Sequence, residues 1–170
     1  MIDTEGLIVK RGRRIVLDNL SFRIEKGQVL GILGANGSGK TTLLQAISGS
    51  MTLEAGTIRI GGDRLTKLSY KQRARRLAVL SQESSVSFHS TVEEAVMLGR
   101  YAYWSGLFSR ESLEDKQIVK EVMEETNISH LAKRSLIALS GGEKQRVWLA
   151  RAWRNNRTAY YLMNQQIIWI

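Results

Sequence analysis

Residues 34–41 read Gly-Ala-Asn-Gly-Ser-Gly-Lys-Thr and match the pattern G-x-x-x-x-G-K-[ST] of a phosphate-binding loop. An apolar run at residues 28–33 precedes them, and a segment with apolar residues at helical spacing follows until Gly49. This order predicts a buried parallel strand, a glycine loop and a helix, the context in which the motif binds phosphate. The sequence therefore predicts a nucleoside-triphosphate site rather than an ordinary glycine-rich turn.

Each part of this loop suits a triphosphate. Glycines let successive backbone N–H groups turn toward an anion, and the N-terminus of the following helix adds partial positive charge. Lys40 can reach the β- and γ-phosphates, the Thr41 hydroxyl can ligate Mg²⁺, and Thr42 is a further candidate phosphate contact. The candidate nucleotide-binding residues of the loop are Gly34, Ala35, Asn36, Gly37, Ser38, Gly39, Lys40, Thr41 and Thr42.

The remainder of the 170 residues fits a soluble α/β domain. The absence of Cys excludes disulfides, Cys-ligated zinc and a thiol nucleophile. No apolar run approaches the ~18 residues of a membrane span, and the first residues lack a signal-peptide pattern, which predicts a cytosolic or peripheral protein. The net charge of +9 leaves nucleic-acid binding open. Strand-type patterns occupy residues 7–24, 57–60 and 77–80, and helical patterns occupy residues 91–136 and 143–153.

A second motif, Leu-Ser-Gly-Gly-Glu-Lys-Gln-Arg at residues 139–146, resembles the signature sequence of ATP-binding-cassette (ABC) ATPases. Ser140 at the N-cap with Glu143 three residues later also fits a capping box, which many ordinary helices share. Together with the phosphate loop, however, the motif makes the family resemblance specific. Gln82, directly after the strand pattern at residues 77–80, matches the glutamine of the family's Q-loop.

The resemblance covers residues 1–152 and implies an α/β P-loop cassette with an antiparallel β subdomain, a RecA-like core and a helical insert at about residues 91–138. In this family two cassettes pair head to tail, so Ser140, Gly141 and Gly142 would contact the γ-phosphate held by the partner's loop. Gln82 would help to hold Mg²⁺ and the attacking water. The implied cofactors are ATP and Mg²⁺, the implied catalytic residues are Lys40, Gln82 and Ser140, and the implied metal ligands are Thr41 and Gln82.

Residues 91–100, Thr-Val-Glu-Glu-Ala-Val-Met-Leu-Gly-Arg, are similar to the branch that serves importers of iron-siderophore, haem and cobalamin complexes. This similarity implies an ATP-binding subunit that couples ATP binding and hydrolysis to uptake of an iron or other metal chelate. The implied partners are a second cassette in a homodimer, a membrane permease and, indirectly, a substrate-binding protein, at the cytoplasmic face of the cell membrane and without nucleic acid. The alternatives are a soluble ABC ATPase that acts on ribosomes or nucleic acid, and a non-functional fragment.

Three features lie outside these motifs. Arg11 precedes Gly12 where many cassettes have an aromatic residue that stacks on adenine; it is either a base-stacking cation or a surface charge. An apolar, aromatic cluster is expected either to form the core of the helical insert or to contact the permease. The basic stretch at residues 67–76 is either a solvated helix face or a site that binds phosphate or acidic lipid. The aromatic cluster comprises Tyr101, Tyr103, Trp104, Leu107 and Phe108.

Residues 153–170 depart from the family pattern. The family places a magnesium-orienting Asp, a water-polarising Glu and a switch-loop His after the signature helix, whereas no Asp, Glu or His follows Glu143 here. Back-translation of residues 163–170, shifted by one base, permits Asp-Glu-Pro-Thr-Asn-His-Leu-Asp, which is the family's expected sequence. We interpret residues 153–170 as an aberrant tail produced by loss of one base near the codons of Ala152 and Trp153.

This interpretation has consequences for folding and activity. It predicts a cassette core that is incomplete at its C-terminus and a chain that binds ATP weakly at best and does not hydrolyse it. It also predicts an apolar tail with no partner evolved for it and an unprotected edge of the central sheet.

Overall fold

The computed structural model describes residues 1–80, 90–104 and 111–153, and the backbone of residues 159–162 and 167–169. The chain divides into two compact units, residues 1–82 with 157–170, and residues 83–156. The strands are β1 (Ile2–Arg11), β2 (Arg14–Ile24), β3 (Val29–Gly31), β4 (Ala55–Ile60), β5 (Asp63–Arg64), β6 (Leu77–Leu80), β7 (Ala159–Leu162) and β8 (Ile167–Trp169). The α-helices are α1 (Lys40–Ser48), α2 (Tyr70–Arg76), α3 (Val92–Met97), α4 (Leu113–Glu125) and α5 (Gly141–Ala152).

An antiparallel sheet of order β2-β1-β4-β5 forms most of the first unit. Alternate residues of β1 are buried, first Ile2 and Thr4 and then Leu7 and Val9, so the alternation changes phase where the register shifts between Thr4 and Leu7. Gly56 of β4 lies against this irregularity, and a Cβ there would come within 2.4 Å of the Gly6 carbonyl oxygen. The predicted antiparallel β subdomain is present.

Helix α1 packs its apolar side into the core of this unit. Leu43, Leu44, Ala46 and Ile47 of α1 belong to one cluster with the inward-facing residues of β1 and β4. The helix ends at Gly49, which has a φ of 73° and whose N–H donates to the carbonyl of Ala46. The sequence prediction of a helix that stops at this glycine is therefore confirmed.

The second sheet has the order β3-β8-β7-β6, and it corrects the sequence prediction for residues 28–33. Residues 28–33 were expected to form a buried parallel strand, but β3 spans only residues 29–31, Val29 is 57% exposed, and the strand pairs antiparallel with β8. Only four residues separate β7 from β8, too few for a parallel crossover, so β8 runs antiparallel to β7. Strand β3 runs in the same direction as β7 and is therefore antiparallel to β8 as well. Strand β7, which returns after the long helical segment, lies parallel to β6.

The tail takes part in this sheet. The backbone of β7 pairs with β6, and β8 lies between β7 and β3, so β3 and β6 are the outer strands. Unpaired N–H and C=O groups along a strand favour addition of any segment of β-type residues, including one with no other reason to pack there.

The second unit is helical. Helices α3, α4 and α5 share one apolar core, and residues 98–103 form a 3₁₀ helix that continues α3. Inside this unit Arg100 Nε donates to Asp115 Oδ1 at 2.7 Å, and both residues are buried. Burial alone would raise the pKa of Asp115, but the hydrogen bonds from Arg100 and from the Ser112 backbone and hydroxyl together lower the pKa of this carboxyl below its ordinary value.

Candidate nucleotide-binding site

Gly39 fixes the start of α1 at the phosphate loop. It is the N-cap residue, with a φ of 96°, and it is buried. A Cβ at this position would lie 3.1 Å from the Val16 carbonyl oxygen and 3.2 Å from Leu17 Cδ2. Only glycine meets both demands, a positive φ and close contact with β2, and it thereby sets the position of the helix N-terminus against the sheet.

The N-terminus of α1 offers backbone donors without a competing acid. The first bond of the helical ladder runs from the Leu43 N–H to the Gly39 carbonyl at 2.8 Å, so the N–H groups of residues 40–42 have no intrahelical acceptor. The first turn contains no acidic residue. The partial positive charge of the helix end is therefore available to an anion.

Lys40 holds its ammonium over the loop itself. Nζ donates to the carbonyl oxygens of Gly34 at 2.6 Å and Ala35 at 2.7 Å. Both acceptors are neutral carbonyls, which are weaker acceptors for an ammonium than anionic phosphate oxygens. The loop is further closed by the Ser38 N–H, which donates to the Ala35 carbonyl at 3.2 Å. The structure thus brings Gly34 and Ala35 against the charged group of Lys40.

The two threonines after Lys40 differ in exposure. Thr41 is exposed, whereas Thr42 is 4% exposed and lies on the side of α1 that faces the core. An exposed hydroxyl beside a phosphate cradle fits Mg²⁺, which typically takes one or two protein oxygens together with phosphate oxygens and water. The residues present therefore suit the ion that the sequence predicts.

Arg11 is tied to the same helix. Its Nη2 donates to Oε1 of Gln45 at 2.6 Å, which links the end of β1 to α1. Sequence reasoning selected Arg11 but missed Gln45, because nothing in the helical pattern distinguishes this polar residue from any other exposed position. Only the pairing of β1 with the rest of the sheet brings the two side chains together.

The signature motif forms a helix N-terminus in the helical unit. The Ser140 N–H and Oγ each donate to Glu143 Oε2 at 2.7 Å, and the Glu143 N–H donates back to Ser140 Oγ at 3.4 Å. The predicted capping box is confirmed, and the Ser140 donors lower the pKa of Glu143. A Cβ added at Gly141 or Gly142 would meet no atom within 4 Å, so packing within the chain does not require glycine there.

The remaining predicted positions are Gln82 and the residues of the aromatic cluster, and the structure describes only some of them. Gln82, Leu107 and Phe108 lie outside the described residues. Tyr101 is 62% exposed and meets Trp104 edge to face with ring centroids 5.5 Å apart. The Tyr103 ring lies under the Arg100 guanidinium at 4.2 Å, so this part of the aromatic cluster is anchored on the buried ion pair.

Within the described ranges, no helix is long and apolar enough to cross a membrane.

A glycine loop that follows a strand and ends in Lys and Thr at the N-terminus of a helix places the chain among the phosphate-loop proteins. The sequence profile described as ABC transporter matches residues 17–162. The chain belongs to the ABC transporter family.

Known relatives agree with this assignment. The chain is 46% identical over 151 residues to the hemin import ATP-binding protein HmuV of Pseudomonas entomophila, a match that covers 89% of this chain and 57% of that protein. It is 38% identical to the iron(3+)-hydroxamate import ATP-binding protein FhuC of Bacillus subtilis, over 89% of this chain and 56% of that protein. The chain therefore spans a little over half the length of these two relatives.

Solved structures show the same fold. An inward-facing structure described as a metal-chelate type ABC transporter superposes with a TM-score of 0.79 at 27% identity, over 95% of this chain and 58% of that one. The predicted fold class, an α/β ABC cassette with an antiparallel sheet and a helical part, is confirmed.

Proposed function

We propose that this chain is the nucleotide-binding part of the ATP-binding subunit of an importer for haem or another iron chelate. The proposal is supported by identity to the hemin and iron-hydroxamate import proteins across residues that include both motifs. The observation that carries it is the arrangement of Lys40 over a glycine loop at an acid-free helix N-terminus.

Binding of ATP exchanges the loop's internal contacts for contacts to phosphate. Lys40 releases the carbonyls of Gly34 and Ala35 and donates to the β- and γ-phosphates, while backbone N–H groups of residues 36–42 surround the same anion. Thr41 provides a hydroxyl ligand to Mg²⁺, and Gln82 provides a second ligand. Bound Mg²⁺ neutralises charge on the β- and γ-phosphates.

The base contacts Arg11. Its guanidinium is held by Gln45, on the helix that also carries Lys40 and Thr41, so one element positions the groups for both ends of the nucleotide. A guanidinium plane stacks on a purine by a cation–π contact, which is tolerant of the base. We therefore propose that contacts to the triphosphate provide most of the binding free energy and that the site discriminates little between bases.

The signature helix acts on a second copy of the cassette. Ser140, Gly141 and Gly142 contact the γ-phosphate held by the loop of the partner in a homodimer, and the space around both glycines supports close approach of a group from outside the chain. The Ser140 hydroxyl and N–H are held by Glu143 until that group arrives. The dimer docks on a membrane permease, at the cytoplasmic face of the membrane, and acts indirectly on a substrate-binding protein.

A protein made of these residues alone binds nucleotide without turning it over. Residues 144–170 contain no side-chain carboxylate that could orient Mg²⁺ or polarise water. In-line attack on the γ-phosphate needs such a group in addition to Lys40, Thr41, Gln82 and the partner's Ser140.

The test is titration of the 170-residue chain with a fluorescent ATP analogue in the presence of Mg²⁺. Replacing Lys40 by Ala removes a charge-assisted contact to phosphate, so the affinity should fall by about tenfold or more. The matched control is Lys26→Ala, an exposed lysine of the same unit, which should leave affinity unchanged. Equal affinities of the wild type and Lys40→Ala would overturn the proposed site.

A further inference from the structure

A cavity lies in the first unit between the end of α1, strand β4 and helix α2, and no residue of the phosphate loop lines it. Its volume is about 450 Å³. Ala46, Ile58 and Leu65, all buried, contribute apolar lining, and Met51 and Leu53 add partly buried apolar surface. This volume lies within the range of about 300–1,000 Å³ that is typical of small-molecule sites, which combine apolar walls with a few polar groups.

Two arginines line the cavity. The Arg73 guanidinium lies 4.4 Å over the ring of Tyr70, and its Nη1 donates to the carbonyl of Gly49 at the end of α1, at 3.1 Å. Arg73 Nε is buried and has no acceptor among the described residues. The Tyr70 ring and the Gly49 carbonyl therefore hold this guanidinium at the wall of the cavity.

Arg64 supplies a second cation. It lines the same cavity, is exposed, and its side chain forms no hydrogen bond or ion pair with any residue that the structure describes. The aromatic contact of Arg73 fixes one guanidinium, whereas Arg64 is free to turn toward an anion. Together they place two positive charges at one cavity with an apolar lining.

The surrounding charge favours an anion further. The single acid in the lining, among the residues that the structure describes, is Glu54, which is paired with Lys10 at 2.9 Å and so does not neutralise the arginines. Helix α2 has the sequence Tyr-Lys-Gln-Arg-Ala-Arg-Arg, with four cations, no acid and no buried residue. The basic stretch that the nucleotide site leaves unused therefore borders the cavity.

We propose that this cavity binds an amphiphilic anion, with a phosphate or carboxylate head on Arg64 and Arg73 and an apolar body against Met51 and Leu53. The head accepts hydrogen bonds from the two guanidinium groups, and the body covers the partly buried apolar surface of Met51 and Leu53. Such chemistry is shared by an acidic phospholipid in a bilayer and by a soluble amphiphile. The proposal is independent of the nucleotide site, because Lys40 and the loop do not line the cavity.

The experiment titrates the 170-residue chain with dihexanoyl phosphatidic acid below its micelle concentration, by calorimetry. Saturable binding is expected, with dihexanoyl phosphatidylcholine, which carries no net charge, binding far more weakly. Arg64→Gln and Arg73→Gln should each weaken binding of the phosphatidic acid by about tenfold. Arg75→Gln is the matched control, since Arg75 lies on the same helix as Arg73 but does not line the cavity; it should bind as the wild type does.

Two further experiments distinguish a lipid in a bilayer from a soluble ligand. Sedimentation with phosphatidylcholine vesicles, with and without phosphatidic acid, shows whether the chain binds the anion in a bilayer. If the chain binds the acidic vesicles and Arg64→Gln weakens this binding, the ligand is a lipid surface. Binding of the soluble lipid alone identifies a free amphiphile, and either result supports the proposal. Because Arg64 is exposed, its replacement leaves the fold intact even if Arg73→Gln does not, and thermal unfolding without ligand checks this.

Equal effects of Arg75→Gln and Arg64→Gln would show a diffuse basic surface and overturn the proposal. Salt-sensitive binding of RNA that all three variants weaken alike would assign the surface to nucleic acid instead. Absence of saturable binding by the soluble phosphatidic acid and by the acidic vesicles would also overturn it.

Discussion

Gly39 shows how much a single residue contributes to the candidate site. It combines a positive φ with a close approach of its Cα to strand β2, and it stands directly before the lysine of the loop. The motif in the sequence marks this glycine as necessary for phosphate. The structure adds a second reason, which is that the start of α1 packs directly against the sheet.

Replacing Gly39 by Ala should therefore lower the free energy of unfolding of the first unit by more than the cost of placing an alanine at a positive φ. The left-handed conformation costs an alanine about 1–2 kcal/mol, and overlap with Val16 and Leu17 adds about 1–3 kcal/mol. Gly62→Ala is the matched control, since Gly62 has a φ of 91° and nothing within 4 Å of a Cβ. Urea unfolding of both variants measures the difference in the free energy of unfolding; equal losses would show that the contact with β2 contributes nothing.

At the scale of elements, local caps and a buried ion pair add to the apolar core of the helical unit. Capping boxes start α3, α4 and α5, and each joins residues three apart in sequence. The Arg100–Asp115 pair is different, because it links the 3₁₀ segment after α3 to the first turn of α4. Its side chains are 10% and 7% exposed, so loss of one partner leaves the other charge buried.

We predict that Asp115→Asn lowers the free energy of unfolding by about 3–5 kcal/mol, the usual cost of removing one partner of a buried ion pair. Because hydrogen bonds lower the pKa of Asp115 in the folded chain, its stabilising effect is present above the pKa of an unfolded Asp and is lost as pH falls through the folded value. Urea unfolding from neutral to acidic pH should show a larger loss in the wild type than in Asp115→Asn, which keeps only the loss from other carboxyls with a lowered pKa, such as Glu94 and Glu143.

The matched control in the same unit is Glu93→Gln, which removes the acid from the exposed pair with Lys133. An exposed pair contributes about 0–1 kcal/mol, so its loss should be small. A cost for Asp115→Asn no larger than that of Glu93→Gln would contradict the assigned role of the buried pair.

At the scale of the whole molecule, the proposed loss of hydrolysis depends on residues 153–170. We predict that the purified chain with Mg²⁺ and ATP releases no more phosphate than Lys40→Ala, because it lacks a side-chain carboxylate to polarise water after the signature helix. Turnover above that of Lys40→Ala would contradict this. The encoding DNA tests the origin of the tail: codons for residues 163–170 that cannot give Asp-Glu-Pro-Thr-Asn-His-Leu-Asp in the shifted frame would end the frameshift hypothesis.

The tail also shows what sequence reasoning could not foresee. The sequence offers no partner that evolved for its apolar residues, and the backbone of β7 and β8 nevertheless joins a sheet with β3 and β6. Strand pairing uses backbone groups that every residue except proline carries, so β-type residues pair even where their side chains evolved for no such place. Hydrophobic pattern therefore predicted that β3 and β6 were strands but not which neighbours they have.

By itself, the sequence determined the phosphate loop, the capping box of the signature helix and the α/β class, because each depends on residues close together in the chain and on backbone geometry that glycine, serine and lysine set locally. Only the tertiary structure decided that Arg11 meets Gln45, that Arg100 meets Asp115, and that Arg64 and Arg73 share a cavity. These contacts depend on the path of the chain between distant residues, and side-chain type or spacing does not specify that path. The same reason explains why the loop could be assigned its ligand from sequence, whereas the cavity beside α2 became visible only in the fold.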